Sequence, residues 1–410
     1  MQPVPRRRPQ CSEEAGYWRG LPENLVLRIA LLALHYAEYA SRLAIALSVR
    51  HEVLLLLGSN NARGELTPRL RARAEEAARV RYVEARRMRD PRVPLTALSI
   101  NRVIRRFAPH VVHAQEVHPL LNAATILAFR GKVPVILTVH DPVPHSGARE
   151  TRARWKPVYA ALPWLRRKAS RLIVHGPRLR DMLEGLDPRF AGHVDAIPHG
   201  LLGEPDVQCT AVREPATFLF FGRVESYKGL RYLLDAGDIL RSRGHAIRLI
   251  VAGTGADLQR HRARIAARPW IELLDRYIAG TEVAQLFRRP VAAVLPYTDA
   301  TQSGVATIAL ANSCPVIASA TGDLPEVVLD GSTGLLVPPR DATALADAMA
   351  RLLTDAALGE RLAGAASRRA AQQLGWSRIA ALTEATYRRA LEEHAQKPVL
   401  DFTRKMSGGE

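Results

Sequence analysis

The sequence predicts an α/β protein of two parallel-sheet domains, each wrapped by helices, and three observations carry that prediction. Short runs rich in Val, Ile and Leu recur along the 410 residues and alternate with helix-like stretches, as in repeated βα units. The runs are continuous instead of alternating in polarity, which is typical of strands covered on both faces. A segment of low periodicity, 201–215, divides the runs into two series.

Each series predicts a sheet of its own. The first contains the strand candidates LRIALLAL, HEVLLLLG, HVVHAQ, VPVILTVH, RLIVHG and VDAIPHG, and the second contains ATFLFFGR, IRLIVAGTG, WIELLDR, AAVLPYT, PVIAS and TGLLVPP. Helix-like stretches such as AEYASRLAIALS and GLRYLLDAGDILRSRG lie between them. The predicted organisation is a basic, flexible segment at 1–24, a first domain at 25–200, a linker at 201–215, a second domain at 216–375, a last helix at 376–395 and a frayed tail at 396–410.

Positive charge is concentrated in the first half of the chain. Residues 1–200 contain 33 Lys and Arg against 17 Asp and Glu, whereas residues 201–410 contain 25 against 23. This asymmetry predicts either an anionic partner of the first domain, such as a lipid surface or a phosphate-bearing substrate, or simply a solvated arginine-rich surface. We expect no nucleic-acid partner, because zinc-finger spacing and aromatic RNA-binding signatures are absent from the sequence.

Cysteine usage and hydropathy predict a cytoplasmic protein, free or peripheral at the inner face of the membrane. Cys11, Cys209 and Cys314 offer neither a disulfide framework nor metal-ligand spacing. The basic start lacks the apolar core of a signal peptide. The longest apolar runs, 25–34 and 53–58, fall well short of the roughly 20 residues that a membrane span needs.

Ligands of open parallel sheets bind beyond the carboxyl ends of the strands, and the strongest candidate lies at such a place. Gly222 ends a buried strand, and Arg223 and Lys228 then lie five residues apart in a short turn. A rigid guanidinium fork and a mobile ammonium that converge on one turn suit a diphosphate. The turn is not a Walker A loop, because that glycine–lysine spacing is absent.

Two further glycine-containing turns are candidates for nucleotide binding. Ser303 and Gly304 precede an apolar segment that predicts a buried helix, and the free amides of a helix start attract anions. Gly253 and Gly255 follow another strand. They predict either close approach of a nucleotide or a plain tight turn, since Leu258 stands where a dinucleotide fingerprint needs its third glycine.

Histidines near strand ends are candidates for hydrogen bonding or acid–base chemistry. His140 and Asp141 follow a strand, with His145 close by, and the pKa of histidine lies near working pH. His113 is predicted to be a hydrogen-bonded wall residue, with contact to sugar or acceptor as the alternative. The spacing of His140, Asp141 and His145 is not that of a metal site, so we expect no metal ion.

Several of these strings resemble the retaining GT-B glycosyltransferases of the "group 1" type, family 4. They are FFGRVESYKGLRYLL, LIVAGTG and PVIASATGDLPEVVLDGSTGLLVPP in the second half and PHVVHAQ, ILTVHD and AIPHG in the first. They are in register over most of residues 27–390 and are specific for the family, though not for a substrate. The resemblance implies a GT-B fold, with two Rossmann-like parallel-sheet domains facing a cleft and helix 376–395 crossing back to the first domain.

The resemblance also implies roles for individual residues. Arg223 and Lys228 match the basic pair that binds the donor diphosphate, and His140 matches the histidine that faces the donor sugar. Ser303 to Val305 match the amides that cap the donor phosphate, and the loop near Tyr277 matches the one that lines the base. Further matches to the donor site are Gly222, Gly253, Gly255, Gln302, Gly304 and Glu326. The family generally needs no metal or other cofactor, since the basic pair and the helix end stabilise the leaving diphosphate.

Two departures from the family pattern alter the expected site. The family usually has two glutamates eight residues apart, and alignment on Pro315-Val316 places Ala300 and Ile308 there. Asp299 can substitute for the first, and Thr-Gln-Ser-Gly-Val at 301–305 resembles a subgroup without the glutamates. The glycine-rich loop after the first strand is replaced by LHYAEYAS, whose His35, Tyr36 and Glu38 either line an acceptor site or begin a helix.

The sequence therefore predicts a retaining, metal-independent glycosyltransferase. Its donor would be a nucleotide-diphosphate sugar, and its acceptor a saccharide, plausibly lipid-linked or presented at a membrane in polysaccharide or glycolipid assembly. Two alternatives stay open at this point. One is a sugar-nucleotide 2-epimerase of the same fold, and the other is a non-catalytic relative that binds nucleotide sugars.

Overall fold

The computed structural model describes residues 22, 24–116, 118–143, 160, 162–203 and 213–396, which form two α/β domains. The first domain contains a parallel sheet of seven strands in the order β3-β2-β1-β4-β5-β6-β7. The strands are β1 (Arg28–Ala33), β2 (Glu52–Gly58), β3 (Arg79–Val83), β4 (Val111–Gln115), β5 (Val135–Thr138), β6 (Arg171–Val174) and β7 (Val194–Ala196). Its helices are α1 (Ala37–Leu47), α2 (Ser59–Glu65), α3 (Pro68–Ala77), α4 (Val93–Phe107), α5 (Pro119–Phe129), α6 (Leu162–Arg166) and α7 (Pro177–Leu186).

The second domain contains a parallel sheet of six strands in the order β10-β9-β8-β11-β12-β13. The strands are β8 (Thr217–Phe221), β9 (Arg248–Ala252), β10 (Ile271–Leu274), β11 (Ala292–Leu295), β12 (Val316–Ser319) and β13 (Gly334–Val337). The helices are α8 (Leu230–Ser242), α9 (Ala256–Ala266), α10 (Gly280–Arg288), α11 (Gly304–Ala311), α12 (Leu324–Val327), α13 (Ala342–Thr354), α14 (Ala356–Gln373) and α15 (Trp376–Ala395).

Each sheet has a separate hydrophobic layer on each face, which explains the continuous apolar runs of the sequence. In β1, Ile29 and Leu31 belong to the layer beneath α1, whereas Ala30 and Leu32 belong to the opposite layer. All four side chains are fully buried. A strand that packs on both faces needs apolar residues at every position.

Strand β3 is absent from the strand candidates of the sequence. It pairs with β2 at the edge of the sheet, and its Arg79 and Arg81 are exposed. Charged side chains protect an edge strand from pairing with another chain. The same charges remove the apolar signal by which a strand is recognised in a sequence.

The last helix, α15, packs against the first domain, as the GT-B prediction requires. Ile379, Tyr387 and Leu391 lie in the same buried cluster as Leu27 and Leu43 of the first domain. The predicted fold is thus confirmed, while the limits of the N-terminal segment, linker and tail fall largely outside the described residues and stay predictions. Among the helices that the structure describes, none has the length and apolar character required to cross a bilayer.

Candidate functional site

The carboxyl ends of the two sheets face one cleft, and several contacts join its walls. Thr301 Oγ1 donates a short hydrogen bond to the Asp141 carboxylate of the first domain. Tyr277 is 69% exposed, and its hydroxyl donates to the carbonyl oxygen of Gly64 at 2.5 Å. Asp141 and Tyr277, both predicted as site residues, therefore lie where the two domains meet.

The turn after β8 presents the predicted basic pair. Gly222 has φ +106°, a conformation that other residues rarely adopt, and a 3₁₀ turn at Ser226–Lys228 follows. Lys228 is only 9% exposed, and its Nζ donates to the hydroxyl of Tyr297 at 2.9 Å. A hydrogen-bonded ammonium at a fixed place can bind a phosphate with little loss of side-chain entropy.

The start of helix α11 lies beside this turn, as the Ser303-Gly304 motif predicts. Ser303 is the N-cap, and its Oγ accepts from the amide of Ala306 at 3.4 Å and donates to Tyr297 Oη at 3.5 Å. The remaining amides of the first turn have no partner within the helix. Val305 also faces the turn, because a Cβ added to Gly222 would lie 3.5 Å from its Cγ2.

Tyr297 is the residue that sequence analysis missed in this half of the site. It is buried and joins Lys228 to Ser303 through one hydroxyl. Its only signal in the sequence was its place at the end of β11. The two motifs that the sequence predicts to bind anions thus form a single polar cluster, although Lys228 and Ser303 are 75 positions apart.

Arg223 is exposed and makes no hydrogen bond or ion pair with any residue that the structure describes. It lies close enough to the first domain to influence Tyr36. Burial, followed by the charge of Asp141, raises the phenol pKa of Tyr36 above its ordinary value, and the charge of Arg223 opposes that rise. A guanidinium without a partner at a cleft is available for an anionic ligand.

The other predicted donor-site residues divide into supports and candidate contacts. Gly253 and Gly255 allow close backbone packing, because an added Cβ would lie 2.0 Å from Gly222 O and 2.2 Å from Val224 O, respectively. They hold the basic turn in place. Gln302 Oε1 is buried without a hydrogen-bond partner in the described part of the chain. Asp299 is half-buried on the loop between β11 and α11.

Glu326 lies on α12, on the second-domain side of the interface, with Arg369 nearby. Its carbonyl oxygen accepts from Nη2 of Arg369 at 2.5 Å. Its charge also contributes to raising the pKa of Asp323. Asp323 in turn contacts the first domain, because a Cβ on Gly176 would lie 2.4 Å from its Oδ1.

His140 occupies the predicted position after β5, but its imidazole is enclosed. The residue is 1% exposed, and the ring of Tyr36 stacks on it with centroids 3.8 Å apart. Its Nε2 lies 2.7 Å from Gln115 Oε1, and its Nδ1 lies 3.0 Å from Nε2 of His175. Burial, followed by the neighbouring histidines, lowers its pKa well below the ordinary value. Both ring nitrogens are therefore engaged within the first domain.

Sequence analysis also missed two histidines beside His140. His175 follows β6 and His199 follows β7, so three neighbouring strands each deliver one buried histidine to the same edge of the sheet. The signal was present in the sequence, since VPVILTVH, RLIVHG and VDAIPHG each carry a histidine at or near the end of a predicted strand.

The remaining first-domain candidates occupy different surroundings. His113 lies in the core away from the cleft, where Tyr387 and Thr138 each engage one ring nitrogen at 2.7 Å. Burial lowers its pKa to about 3. Its position supports the prediction of a hydrogen-bonded wall residue over the alternative of contact with sugar or acceptor. His35 is exposed beside Tyr36. His145 lies outside the described residues.

The two positions that lack the family glutamates have apolar surroundings. Ala300 is buried among hydrophobic side chains of the second domain. Ile308 is half-buried and faces the interdomain segment, because a Cβ on Gly203 would lie 3.5 Å from its Cγ2. The polar groups nearest to them in sequence are Asp299, Thr301, Gln302 and Ser303. Ribose binding through a carboxylate at position 308 is therefore impossible in this chain.

The paired Rossmann-like domains and their shared cleft define a protein of the GT-B class. Sucrose-phosphate synthase from Thermosynechococcus elongatus superposes with a TM-score of 0.69 at 21% identity, covering 88% of this chain and 98% of that one. HepE from Anabaena, in complex with UDP-glucose, superposes with a TM-score of 0.65 at 16% identity, covering 88% of this chain and 99% of that one. At these identities the likeness shows the fold.

Sequence similarity then establishes the family. The model for "Glycosyltransferase Family 4" matches residues 37–201, and the model for "Glycosyl transferases group 1" matches residues 215–355. Glycogen synthase from Mycobacterium tuberculosis (strain H37Rv) is 31% identical over 297 residues, which cover 69% of each chain. The chain belongs to the group 1, family 4 glycosyltransferases.

Proposed function

We propose that this glycosyltransferase is a retaining enzyme that moves a sugar from a nucleotide-diphosphate sugar to an acceptor hydroxyl, with no metal ion at the diphosphate. The observation that carries the proposal is the cluster of Lys228, Tyr297 and Ser303, with the exposed Arg223 beside it, which pairs with no residue among those described. Two cationic groups and a helix start at one place supply the charge that a metal ion would otherwise supply. The UDP-glucose bound by HepE supports the class of donor.

The reaction needs stabilisation of the departing diphosphate above all. The bond between the anomeric carbon and the phosphate oxygen breaks while the acceptor oxygen bonds to that carbon from the same face. The acceptor proton passes to the departing phosphate oxygen, so the step balances without another reactant. Arg223, Lys228 and the amides after Ser303 stabilise the developing negative charge, and each such donor typically contributes about 3–4 kcal/mol.

On the sugar side, we assign the contact with the donor to Tyr36 and give His140 a supporting role. His140 matches the family residue that faces the sugar, yet here the stacked ring of Tyr36 covers it. Tyr36 has φ 60°, which a tyrosine adopts at a cost of roughly 1 kcal/mol, and the stack on His140 holds it there. Asp141 and Asp299 supply carboxylates at the same cleft for sugar or acceptor hydroxyls.

Nucleoside recognition in this chain relies on amides and hydroxyls in place of the family carboxylate. The buried Oε1 of Gln302 can accept from a ribose hydroxyl, which would satisfy its hydrogen-bonding capacity. Tyr277 offers an exposed ring at the edge of the cleft for the base. Glu326 lies farther along the same wall.

A two-stage experiment tests the proposal. Thermal unfolding is first measured with UDP-, GDP- and ADP-sugars, because a ligand that binds only the folded state raises the melting temperature. The stabilising donor is then incubated with saccharide acceptors, and NMR gives the anomeric configuration of the product. An inverted product contradicts the retaining mechanism. Donor epimerisation without acceptor identifies the epimerase alternative, and stabilisation without turnover identifies a non-catalytic binder.

We further propose that the acceptor is presented at an anionic membrane surface, where the basic first domain binds. Helix α4 supports this proposal with an exposed stripe. Leu95 and Leu98 are 65% and 64% exposed near its start, and Arg102, Arg105 and Arg106 are exposed toward its end. Apolar side chains beside a basic cluster are typical of helices that lie on anionic lipid.

Vesicle binding tests this second proposal. Co-sedimentation with vesicles of anionic lipid should weaken steeply as salt rises, because salt screens the attraction. The variant with Arg102→Glu and Arg106→Glu should lose most of the binding. A control with Arg241→Glu and Arg260→Glu, two exposed arginines of the second domain, should retain it. Binding that is absent, or equal in both variants, overturns the membrane assignment.

A further inference from the structure

The buried histidine cluster at the ends of β5, β6 and β7 has the features of a metal site. His140, His175 and His199 can each offer one ring nitrogen, and these three nitrogens lie within 4.8 Å of one another. The three strands are neighbours in the sheet, so the cluster ties together three separate loops. The diphosphate-binding residues Arg223, Lys228 and Ser303 all belong to the other domain.

The hydrogen bonds around the cluster fix which nitrogens face inward. His140 Nε2 lies 2.7 Å from Gln115 Oε1, and His199 Nδ1 lies 2.7 Å from the carbonyl oxygen of Gly200. Because carbonyl oxygens only accept, those two nitrogens carry the protons. The lone pairs of His140 Nδ1 and His199 Nε2 are then left for another partner. An imidazole whose outer nitrogen donates to a carbonyl is the usual arrangement of a metal-ligating histidine.

Without a metal ion the cluster leaves a polar atom unsatisfied. His175 Nε2 must donate to the lone pair of His140 Nδ1, 3.0 Å away. Nδ1 of His175 is then unprotonated, and it is buried without a hydrogen-bond partner of ordinary geometry in the described part of the chain. A buried unsatisfied nitrogen costs about 1–3 kcal/mol and calls for an explanation.

A change of tautomer at His175 would remove that cost. With its proton on Nδ1, near the backbone of Ile197 with which this imidazole interacts, Nε2 becomes a third inward lone pair. The change moves one proton within a neutral ring and releases none. Neutral imidazole, whose lone pair is open, is the form that binds metal ions.

We propose that His140, His175 and His199 bind one divalent transition-metal ion of the zinc class. Imidazole ligands suit Zn²⁺, and three histidines leave a fourth position for a small ligand. Ligand nitrogens on a tetrahedral zinc lie about 3.3 Å apart, given bonds of about 2.05 Å. The 3.0 Å separation of His140 Nδ1 and His175 Nε2 is close to this value. The three ligand nitrogens lie within 4.8 Å of one another, so small side-chain rotations would have to bring any longer separation to the same value.

The ion would act as a structural link in the first-domain wall. Tyr39 packs edgewise against His140 and His175 and at a tilt against His199, which surrounds the site with aromatic surface. His175 precedes Gly176, the residue that contacts the buried carboxyl of Asp323 in the second domain. The ion would thus stabilise the loop on which the two domains meet.

Metal content of the full chain tests the proposal. The protein is expressed with added zinc, purified through metal-free buffer and analysed by mass spectrometry of the metal. We expect about one zinc per chain in the wild type and in His193→Gln, a control at an exposed histidine of the same domain. His175→Gln and His199→Gln should each contain less than about a tenth of that amount.

A second measurement decides the outcome if those variants fail to fold. Wild-type protein is loaded with Co²⁺ in place of zinc, and its visible spectrum and X-ray absorption are recorded. A four-coordinate spectrum with about three imidazoles supports the site. A wild-type chain that takes up neither metal overturns the proposal and leaves a hydrogen-bonded cluster. Equal metal content in all four proteins also overturns it, because the ion would then bind elsewhere. Neither readout depends on sugar transfer.

Discussion

The two walls of the cleft hold their polar groups in opposite ways. The second-domain wall exposes Arg223, fixes Lys228 through one hydroxyl of Tyr297 and places a helix start beside them. The first-domain wall buries His140, His175 and His199, and His140 bonds to His175 and Gln115 and is covered by Tyr36. The second-domain wall thus presents groups suited to an anionic ligand, whereas the polar groups of the first-domain wall bond mainly within their own domain. If the proposed function is right, phosphate binding and the shaping of the sugar pocket are therefore separable tasks of the two walls.

The largest expected effect comes from removing Arg223, the exposed cation of the second-domain wall. Arg223→Ala should lower kcat by about 100- to 1,000-fold, because one donor to the developing charge is lost. The melting temperature should stay unchanged, since Arg223 bonds to no described residue. Steady-state kinetics and circular dichroism measure the two quantities. Arg241→Ala, at another exposed arginine of the domain, serves as the control, and near-normal activity in Arg223→Ala would sink the phosphate assignment.

A second test asks whether Lys228, Tyr297 and Ser303 of the second-domain wall act as one unit. Tyr297→Phe removes the hydroxyl that joins Lys228 to Ser303 and keeps the ring under the ammonium, whose Nζ lies 4.6 Å from the ring centroid. We expect kcat to fall roughly tenfold, the equivalent of one hydrogen bond to a charged group. Tyr232→Phe, at a half-buried tyrosine of the same domain, is the matched control.

Kinetics of the double variant complete that test. If Tyr297 acts by positioning Lys228, then Lys228→Ala with Tyr297→Phe should be no slower than Lys228→Ala alone. Additive losses would show that the hydroxyl and the ammonium act independently. The comparison between the walls would then rest on Arg223 and the helix start only.

The two walls also differ in how far the sequence predicts them. The phosphate motifs are local: Gly222, Arg223 and Lys228 fall in one turn, and Ser303 and Gly304 in one helix start. Residues close in sequence can be recognised as a motif before the fold is known. That Lys228 and Ser303 share a hydrogen-bond partner could not be predicted, because Tyr297 is brought to Lys228 only by the order of β8 and β11 in the sheet.

The histidine cluster shows more clearly which parts of the site the sequence alone cannot predict. His140, His175 and His199 are separated by at least 24 residues, and only the neighbouring order of β5, β6 and β7 brings them together. The six strands of the second sheet were predictable from their apolar residues, because β8, β9, β11, β12 and β13 are almost fully buried and the half-buried edge strand β10 still has three apolar residues of four. The exposed edge strand β3 was not, because its charges hide the apolar pattern.

The smallest expected effect concerns Asp323, a buried acid of the second domain that contacts Gly176 of the first. Burial, followed by the charge of Glu326, raises its pKa from 3.8 to about 8, and Arg178 opposes the rise. The folded chain therefore keeps a proton that the unfolded chain loses above pH 3.8. The free energy of unfolding must then fall as the pH rises from 3.8 toward about 8, because the unfolded state loses this proton ever more favourably while the folded state retains it.

Asp323→Asn removes the charge and keeps the shape of the side chain, so its stability should lack this decline. The melting temperature of the variant should exceed that of the wild type by a few degrees at the upper end of this pH range, and the difference should vanish toward pH 4. Asp347→Asn, at an exposed carboxyl, should follow the wild type at every pH. Parallel curves for wild type and Asp323→Asn would show that the carboxyl is solvated and that the contact with Gly176 is open in solution. In that case only the second wall would keep a fixed arrangement of polar groups, and the closed cleft would have to form on donor binding.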